Sequence, residues 1–268
     1  MKLKRILSGV IGLPIVALIL IYGNTYIIDI LFSIVAIIAI YEYFNAFKEN
    51  NRPVKWIGYI SCILIAFLHI IPKEYFLFTL ILLITVIIAI LFIKVVSSNM
   101  KTSISDIMVT LFGICYITLF LAFIPLLYGI ENGKYLIWFI IIAAWGTDTC
   151  AYFVGCKFGR HKFSKISPKK SIEGCIGGTL GAVIIALIYT FAINKFADLD
   201  ISYIYIALIE FVLSILSQIG DLSASSIKRT VGIKDFGNLI PGHGGMIDRI
   251  DSIIFIAPFA YFLLTMVL

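Results

Sequence analysis

The feature that most constrains this chain is a succession of apolar runs, each about 17 to 25 residues long, the length at which a helix crosses a ~30 Å hydrocarbon core. Nine such runs lie near residues 6–22, 26–47, 54–71, 75–96, 107–130, 135–154, 175–193, 201–219 and 252–268. With 61% hydrophobic and 13% charged residues, the 268-residue chain has too little polar surface for a soluble globule. The sequence therefore predicts an all-α, polytopic integral membrane protein with about nine transmembrane helices.

The basic residues predict how these helices are oriented, because segments rich in Lys and Arg stay on the cytoplasmic side. With the N-terminus in the cytoplasm, all 21 Lys and Arg residues except Lys73, Lys134 and Lys195 fall on cytoplasmic segments. The resulting net charge of +6 favours anionic lipid headgroups. We expect no nucleic-acid partner, since no basic patch is interleaved with exposed aromatic residues outside the membrane-bound segments.

Polar motifs are concentrated in the second half of the chain. Residues 1–130 are almost entirely Leu, Ile, Val and Phe with short connections, which predicts a scaffold of N-terminal helices that contacts lipid. Residues 131–268 carry the polar motifs and predict a C-terminal catalytic region whose site faces the cytoplasm. We expect the two regions to form one structural unit.

Two acidic residues fall inside the N-terminal apolar runs, where a charge is costly and is a functional candidate by default. Asp29 lies near the outer boundary of its run, and we expect it to reach water. Glu42 lies between Tyr41 and Tyr43 near the cytoplasmic end of the same run. It is either a residue that supports the site or an interfacial residue flanked by aromatic neighbours.

The sixth and seventh apolar runs carry glycines that predict close helix packing. Asp148, Tyr152, Gly155 and Gly159 share one helix face, and the seventh run offers Gly174 and Gly178, Gly177 and Gly181 at spacings of four. Helix packing explains the glycines but not the aspartate among them. Asp148 is therefore a candidate for the site.

A basic loop joins these two runs. Residues 157–173 read K-F-G-R-H-K-F-S-K-I-S-P-K-K-S-I-E, and Ser171 is placed to cap the helix that follows. Helix N-termini with lysines nearby bind phosphate, whereas a loop that serves only as a topology signal needs fewer positive charges. Both interpretations remain open for this loop, and phosphate binding is favoured.

Residues 226–251 read S-I-K-R-T-V-G-I-K-D-F-G-N-L-I-P-G-H-G-G-M-I-D-R-I-D and crowd charge, glycine and histidine together. Asp221 precedes this signature stretch, and Asp248 and Asp251 close it. Carboxylates from several helices, with His243 as the one nearby imidazole, suit Mg²⁺ better than zinc. Such a cation beside Lys and Arg is typical of phosphoryl and nucleotidyl transfer. The residues thus predict a membrane-embedded, Mg²⁺-dependent transferase acting on phosphates, and the alternative is a solvated loop.

The signature stretch resembles that of the phosphatidate cytidylyltransferases, also called CDP-diacylglycerol synthases. The match rests on Ser226, Lys228, Arg229, Lys234, Asp235, Pro241, His243, Gly244, Gly245, Asp248, Arg249 and Asp251. Residues 148–159, 167–174 and 218–221 are also similar to that family, although Ser171 stands where threonine is expected. The resemblance covers about the C-terminal half, and the N-terminal helices match only in character.

The resemblance implies the reaction CTP + phosphatidate → CDP-diacylglycerol + pyrophosphate at the cytoplasmic face of the cell (inner) membrane, in phospholipid biosynthesis. It implies Mg²⁺ as cofactor, leaves room for a second, monovalent cation, and implies a homodimer. The implied catalytic residues are Asp221, Asp248, Lys228, Arg229, Lys234 and His243. The implied substrate-binding residues are Lys169, Lys170, Ser171, Glu173, Ser226, Gly244, Gly245 and Arg249. The implied metal ligands are Asp221 and Asp248, followed by Asp148 and Asp251.

Two other functions compete with this one. A CTP-dependent kinase of the polyprenol or lipid type shares parts of the pattern, but it transfers the γ-phosphate and releases CDP. A transporter would also contain intramembrane acids and Gly-rich broken helices. The clustering of the polar motifs at one predicted membrane face, away from the midplane, argues against a transporter.

Overall fold

The computed structural model of the chain describes residues 14, 16–99, 101–164, 166–168, 170–239 and 244–266, and these residues contain no β-strand. From Thr25 onwards, the described residues form eight long helices: α1 Thr25–Ala46, α2 Lys55–Ile70, α3 Phe76–Ser97, α4 Ile104–Tyr128, α5 Gly133–Phe158, α6 Ile172–Phe196, α7 Tyr203–Thr230 and α8 Ile247–Thr265. The last turns of α2, Ile65–Ile70, are 3₁₀-helical. The all-α prediction is confirmed for the described residues.

Six of these helices, α1 and α3 to α7, are long and apolar enough to cross a membrane. The protein is therefore a multi-pass membrane protein. The eight helices lie over the last eight predicted runs, with some different ends. About half of the first run, 6–22, lies outside the described residues, and residues 14 and 16–22 are helical. The number nine and the orientation of the N-terminus remain predictions.

Local signals explain where the helices begin and end. The Asn24 side chain caps α1 by accepting the N–H of Ile27, and Ser103 and Asp106 form a capping box at the start of α4. Helix α7 runs to Thr230 and stops before Gly232, whose φ of +75° lies in the left-handed region. The expected end of this helix near residue 219 was thus wrong. No proline stands between residues 219 and 230 to stop it, so the signature stretch begins on a helix.

The chain forms two compact units. The first contains the described residues up to Leu126 together with Ile233–Arg249, and the second contains Leu127–Gly232 and the described residues from Ile250 onwards. In the first unit, Tyr43 and Phe44 of α1 are buried, and their rings occupy the space that a side chain at Gly113 or Gly58 would need. The bare backbones of α2 and α4 thus let the α1 rings pack closely.

Candidate functional site

The second unit contains a polar cavity of about 550 Å³. Its lining includes Asp148 of α5, Lys170 and Ser171 before α6, and Gln218 and Asp221 of α7. The sequence predicted Asp148, Lys170, Ser171 and Asp221 as site residues. The structure brings these four together.

A lysine and two carboxylates form the charged centre of this cavity. Lys170 Nζ lies 2.6 Å from Asp221 Oδ2 and 4.0 Å from Asp148 Oδ1. Burial lowers the pKa of Lys170, but Asp221 and then Asp148 raise it by more, so the pKa stands above its ordinary value. Lys170 is therefore a cation at neutral pH, held where a phosphate could meet it.

The loop before α6 is folded back so that it carries Lys170 into the cavity. The N–H of Phe163 donates to the Lys170 carbonyl (2.9 Å), and the N–H of Ile172 donates to the His161 carbonyl (2.9 Å). Glu173 accepts backbone N–H groups of the same loop and lies 2.6 Å from His161 Nδ1. Glu173, predicted to bind substrate, thus contacts the loop that holds Lys170.

Ser171 confirms the predicted helix cap, because its Oγ accepts the N–H of Gly174 at 3.1 Å. The same hydroxyl lies against α5, where an added Cβ at Gly155 would stand 3.2 Å from it. Ser171 therefore both begins α6 and contacts the helix that carries Asp148.

Glycines bring α5 and α6 together, as predicted. A Cβ on Gly174 would lie 2.9 Å from the Ala151 carbonyl, and one on Gly178 would lie 2.8 Å from the Thr147 carbonyl. A π-helical turn, Ile142–Gly146, ends just before Asp148. Such turns recur at functional sites, and here one precedes the helical segment that contributes the aspartate.

Helix α7 is fastened to α6 one turn before Asp221. The Gln218 amide donates to Thr179 Oγ1 (3.0 Å) and to the Cys175 carbonyl (3.3 Å), and all three groups are buried. These buried bonds fix the rotation of α7 about its axis. The position of the Asp221 carboxylate is set by that rotation.

Two further predicted residues approach the same charges. Asp251 is buried. Its carboxylate is repelled by the negative charges of Asp221 and Asp148 and attracted by the positive charge of Lys228. Lys228 is itself buried, on the last turns of α7. Asp251 thus interacts electrostatically with Asp148, Asp221 and Lys228 within the second unit.

In the first unit, Asp248 organises the segment that leads into α8. Its Oδ2 accepts the backbone N–H groups of Phe236 and Gly245, both at 2.9 Å. Gly244, predicted for the site, has a φ of +87°, which favours glycine. One oxygen of Asp248 therefore holds the loop, and the metal role of Asp248 stays a prediction.

Glu42 of α1 holds the same segment from the other side. Its Oε1 accepts the N–H of Met246 at 2.9 Å and its Oε2 accepts the N–H of Ile247 at 3.0 Å. A Cβ on Gly237 or Gly245 would overlap this carboxylate. Glu42 is buried, and of the two interpretations the sequence left open, its contacts favour support of the signature stretch.

The remaining predicted residues are placed as follows. Arg229, Lys234 and Arg249 are exposed, and Ser226 lies part-buried on α7. Lys169 and His243 lie outside the described residues. The predicted site residues divide between the units: Lys234, Gly244, Gly245, Asp248 and Arg249 belong to the first, and Asp148, Lys170, Ser171, Glu173, Asp221, Ser226, Lys228, Arg229 and Asp251 belong to the second.

The donor set in the second unit fits a hard cation. Within the described part of the chain, no three His, Cys, Asp or Glu side chains gather closely enough to hold a metal by themselves. Mg²⁺ in phosphate-transferring sites is usually held by only one or two carboxylates, with substrate phosphates and water completing the shell. Asp148 and Asp221 supply that pair of carboxylates, beside a cavity with room for the phosphates.

Comparison with known proteins gives one family and several relatives. A family model described as the cytidylyltransferase family matches residues 3–267. The phosphatidate cytidylyltransferase of Bacillus subtilis (strain 168) is 44% identical over 137 residues, which cover 51% of this chain and 49% of the relative. The protein of the same name from Thermotoga maritima is 39% identical over 154 residues, which cover 56% of this chain and 56% of the relative. That from Staphylococcus saprophyticus is 36% identical over 170 residues, which cover 63% of this chain and 63% of the relative. The chain thus spans about half to three fifths of the length of these curated relatives.

Proposed function

Because the chain belongs to the cytidylyltransferase family, we propose that it is a phosphatidate cytidylyltransferase, a nucleotidyltransferase that acts on a lipid phosphate. An oxygen of the phosphatidate phosphate attacks the α-phosphorus of CTP. A new P–O bond forms, the bond between the α-phosphorus and the bridging oxygen breaks, and pyrophosphate leaves. The products are CDP-diacylglycerol and pyrophosphate.

The observation that carries this proposal is the Asp148–Lys170–Asp221 cluster in the cavity of the second unit. A buried ammonium between carboxylates provides charge of both signs where polyphosphate oxygens must be bound and a cation accepted. The substrate class comes from the names of the relatives, which are phosphatidate cytidylyltransferases.

In this mechanism the protein binds and orients two phosphates. Lys170 attracts phosphate oxygens into the cavity, and the folded loop and Ser171 keep its side chain in place. Lys228, Arg229, Lys234 and Arg249 carry further positive charge for the triphosphate and the lipid phosphate. Such positioning and charge stabilisation account for most catalysis of phosphate transfer, since the chain need form no covalent intermediate.

Mg²⁺ would be held by Asp221 and Asp148, with Asp248 and Asp251 as the other predicted ligands, and it would neutralise charge on phosphate oxygens. We place the site at the cytoplasmic face of the cell membrane, in a homodimer, on the basis of the basic-residue asymmetry and the family resemblance. His243 and Lys169 remain proposed nucleotide-pocket and substrate contacts.

The test is incorporation of labelled CTP into lipid by detergent-solubilised full-length protein, with and without Mg²⁺. We expect Mg²⁺-dependent formation of a CDP-lipid when phosphatidate is supplied. Asp221→Asn should abolish it, and Asp198→Asn, in the connection between α6 and α7, is the matched control. Absence of a CDP-lipid with any phosphatidate would overturn the proposal and revive the two competing functions, the lipid kinase and the transporter.

A further inference from the structure

The first unit contains an open cavity of about 610 Å³ that no part of the proposed reaction uses. It lies where α1 and α3 end and where α2 and α4 begin. Four basic side chains line it, Lys48, Arg52, Lys55 and Lys94, and its described lining residues include no acid. Four positive charges around one concavity predict an anionic ligand.

Within the part of the chain that the structure describes, these charges are not neutralised by internal ion pairs, and Lys55 Nζ donates to the neutral Asn45 Oδ1 at 3.2 Å. Among the described residues, none of the four basic side chains lies within ion-pair distance of a carboxylate. The Asp106 carboxylate approaches the pocket, but its Oδ1 accepts the backbone N–H of Arg52 (2.6 Å) and its Oδ2 accepts the N–H of Ser103 (2.8 Å). The Asp106 carboxylate thus binds backbone N–H groups, and the Arg52 guanidinium lines the cavity.

The wall of the pocket is held by several bonds to α4. The N–H of Val54 donates to the buried Thr110 Oγ1 at 2.8 Å, and Asn51 Nδ2 donates to Ser105 Oγ at 2.7 Å. Together with the bond from the Arg52 N–H to Asp106, these bonds connect Asn51, Arg52 and Val54 to α4. A ligand would therefore meet a preformed pocket and would not have to order this segment.

The pocket borders exposed apolar side chains of α3. Trp56 and Tyr59 line it, and aromatic residues of this kind are enriched at membrane boundaries. Lys94 follows Phe92 and Ile93, which are 53% and 64% exposed on the apolar helix α3. Glu42, which holds the signature stretch, stands one turn from the same end of α1. The pocket is thus at the end of the first unit where that stretch is anchored.

We propose that this pocket binds the phosphate headgroup of an anionic membrane phospholipid. Lys and Arg neutralise the phosphate, Trp56 and Tyr59 lie at the level of the headgroup, and the acyl chains follow the exposed apolar face of α3. A topology signal alone requires basic residues on this side of the membrane. It requires neither a concave arrangement nor a segment fixed by Asp106 and Thr110.

The proposal is tested with Trp56 as the reporter, in full-length protein carrying Trp138→Phe and Trp145→Phe. A brominated lipid is added in increasing fractions to vesicles of phosphatidylcholine, and its bromine, placed near the headgroup, quenches nearby indole emission. The brominated lipid is phosphatidylglycerol in one series and phosphatidylcholine in the other. We expect half-maximal quenching at a several-fold lower fraction of the anionic lipid. Phosphatidylglycerol is not the substrate of the proposed reaction, so this result does not depend on that reaction.

Two double variants with equal loss of charge distinguish the pocket from the general charge of the protein. Arg52→Gln with Lys94→Gln should remove the several-fold preference for the anionic lipid, because each basic residue near an anionic surface strengthens binding roughly fivefold. Lys134→Gln with Lys195→Gln, both exposed and outside the pocket, should retain it. Equal preferences in the two variants would overturn the proposal, provided their unfolding midpoints match.

A further arm separates a lipid headgroup from soluble phosphate. Inorganic phosphate at millimolar concentration is added to the vesicles that contain brominated phosphatidylglycerol. We expect the quenching to persist, because the acyl chains keep the headgroup at the membrane surface. Loss of the quenching at low phosphate concentration, with no loss on adding the same ionic strength of chloride, would assign the pocket to a soluble anion and overturn the lipid assignment.

Discussion

Replacing Glu42 by glutamine should reduce turnover although residue 42 lies about 200 positions before the signature stretch in the sequence. The carboxylate accepts N–H groups of Met246 and Ile247, one on each oxygen. Glutamine keeps one acceptor oxygen and places an N–H₂ group against the second backbone N–H. One charge-assisted hydrogen bond is lost, and two donors then face each other.

The size of the effect follows from that change. A hydrogen bond to a charged group contributes about 1.5–3 kcal/mol. If about 2–3 kcal/mol is lost from the conformation that positions Asp248, kcat falls by about 30- to 150-fold, since each 1.36 kcal/mol is tenfold in rate. The neighbouring N–H of Gly245 also donates to Asp248, so a shift at Met246 moves the predicted metal ligand directly.

Asp29→Asn is the matched control, because Asp29 is also a fully buried carboxylate of α1. It lies 2.8 Å from His69 Nδ1 and accepts the backbone N–H of the same residue. Both variants should lower the unfolding midpoint in detergent, whereas only Glu42→Gln should lower kcat strongly. Equal, small changes of kcat in the two variants would refute a positioning role for Glu42.

Three shorter predictions concern the second unit. Lys170→Met should lower kcat by at least about 100-fold, as expected when a charge that stabilises the transition state is lost. Lys162→Met, in an exposed part of the same loop, should change kcat little. Steady-state CTP turnover measures both variants. Gly174→Ala should lower the unfolding midpoint, because its Cβ would lie 2.9 Å from two oxygen atoms and overpacking costs about 1–3 kcal/mol. Gly146→Ala should leave the midpoint unchanged, because no atom lies nearer than 3.6 Å to its Cβ. Ser171→Ala should cost about 1 kcal/mol of stability through loss of the helix cap, measurable by denaturant titration, and Ser171→Thr should restore it.

The parts of the fold that depend on local sequence were predictable. The apolar runs predict eight helices, because a segment that crosses hydrocarbon must satisfy its own backbone hydrogen bonds and a helix does so. The four-residue glycine spacing predicts the close approach of α5 and α6, and the serine before Ile172 predicts the cap. Each of these signals involves residues that lie within a few helical turns of one another.

The parts that depend on distant pairing were not predictable from one sequence. Asp29 was expected to reach water near the membrane boundary, and that prediction was wrong, because α2 brings His69 against it and buries it. The partners of Glu42 are backbone N–H groups, which leave no mark in the amino-acid sequence. The ion pair of Lys170 with Asp221 joins two segments whose contact depends on the packing of α6 against α7.

The fate of the individual phosphorus atoms of CTP tests the central claim most directly. Purified protein is given phosphatidate, Mg²⁺ and CTP labelled at either the α- or the γ-phosphorus. Cytidylyl transfer predicts that the α-label enters the lipid fraction and the γ-label appears in pyrophosphate. Transfer of the γ-label to lipid, with the α-label released as CDP, would contradict the account and identify a lipid kinase.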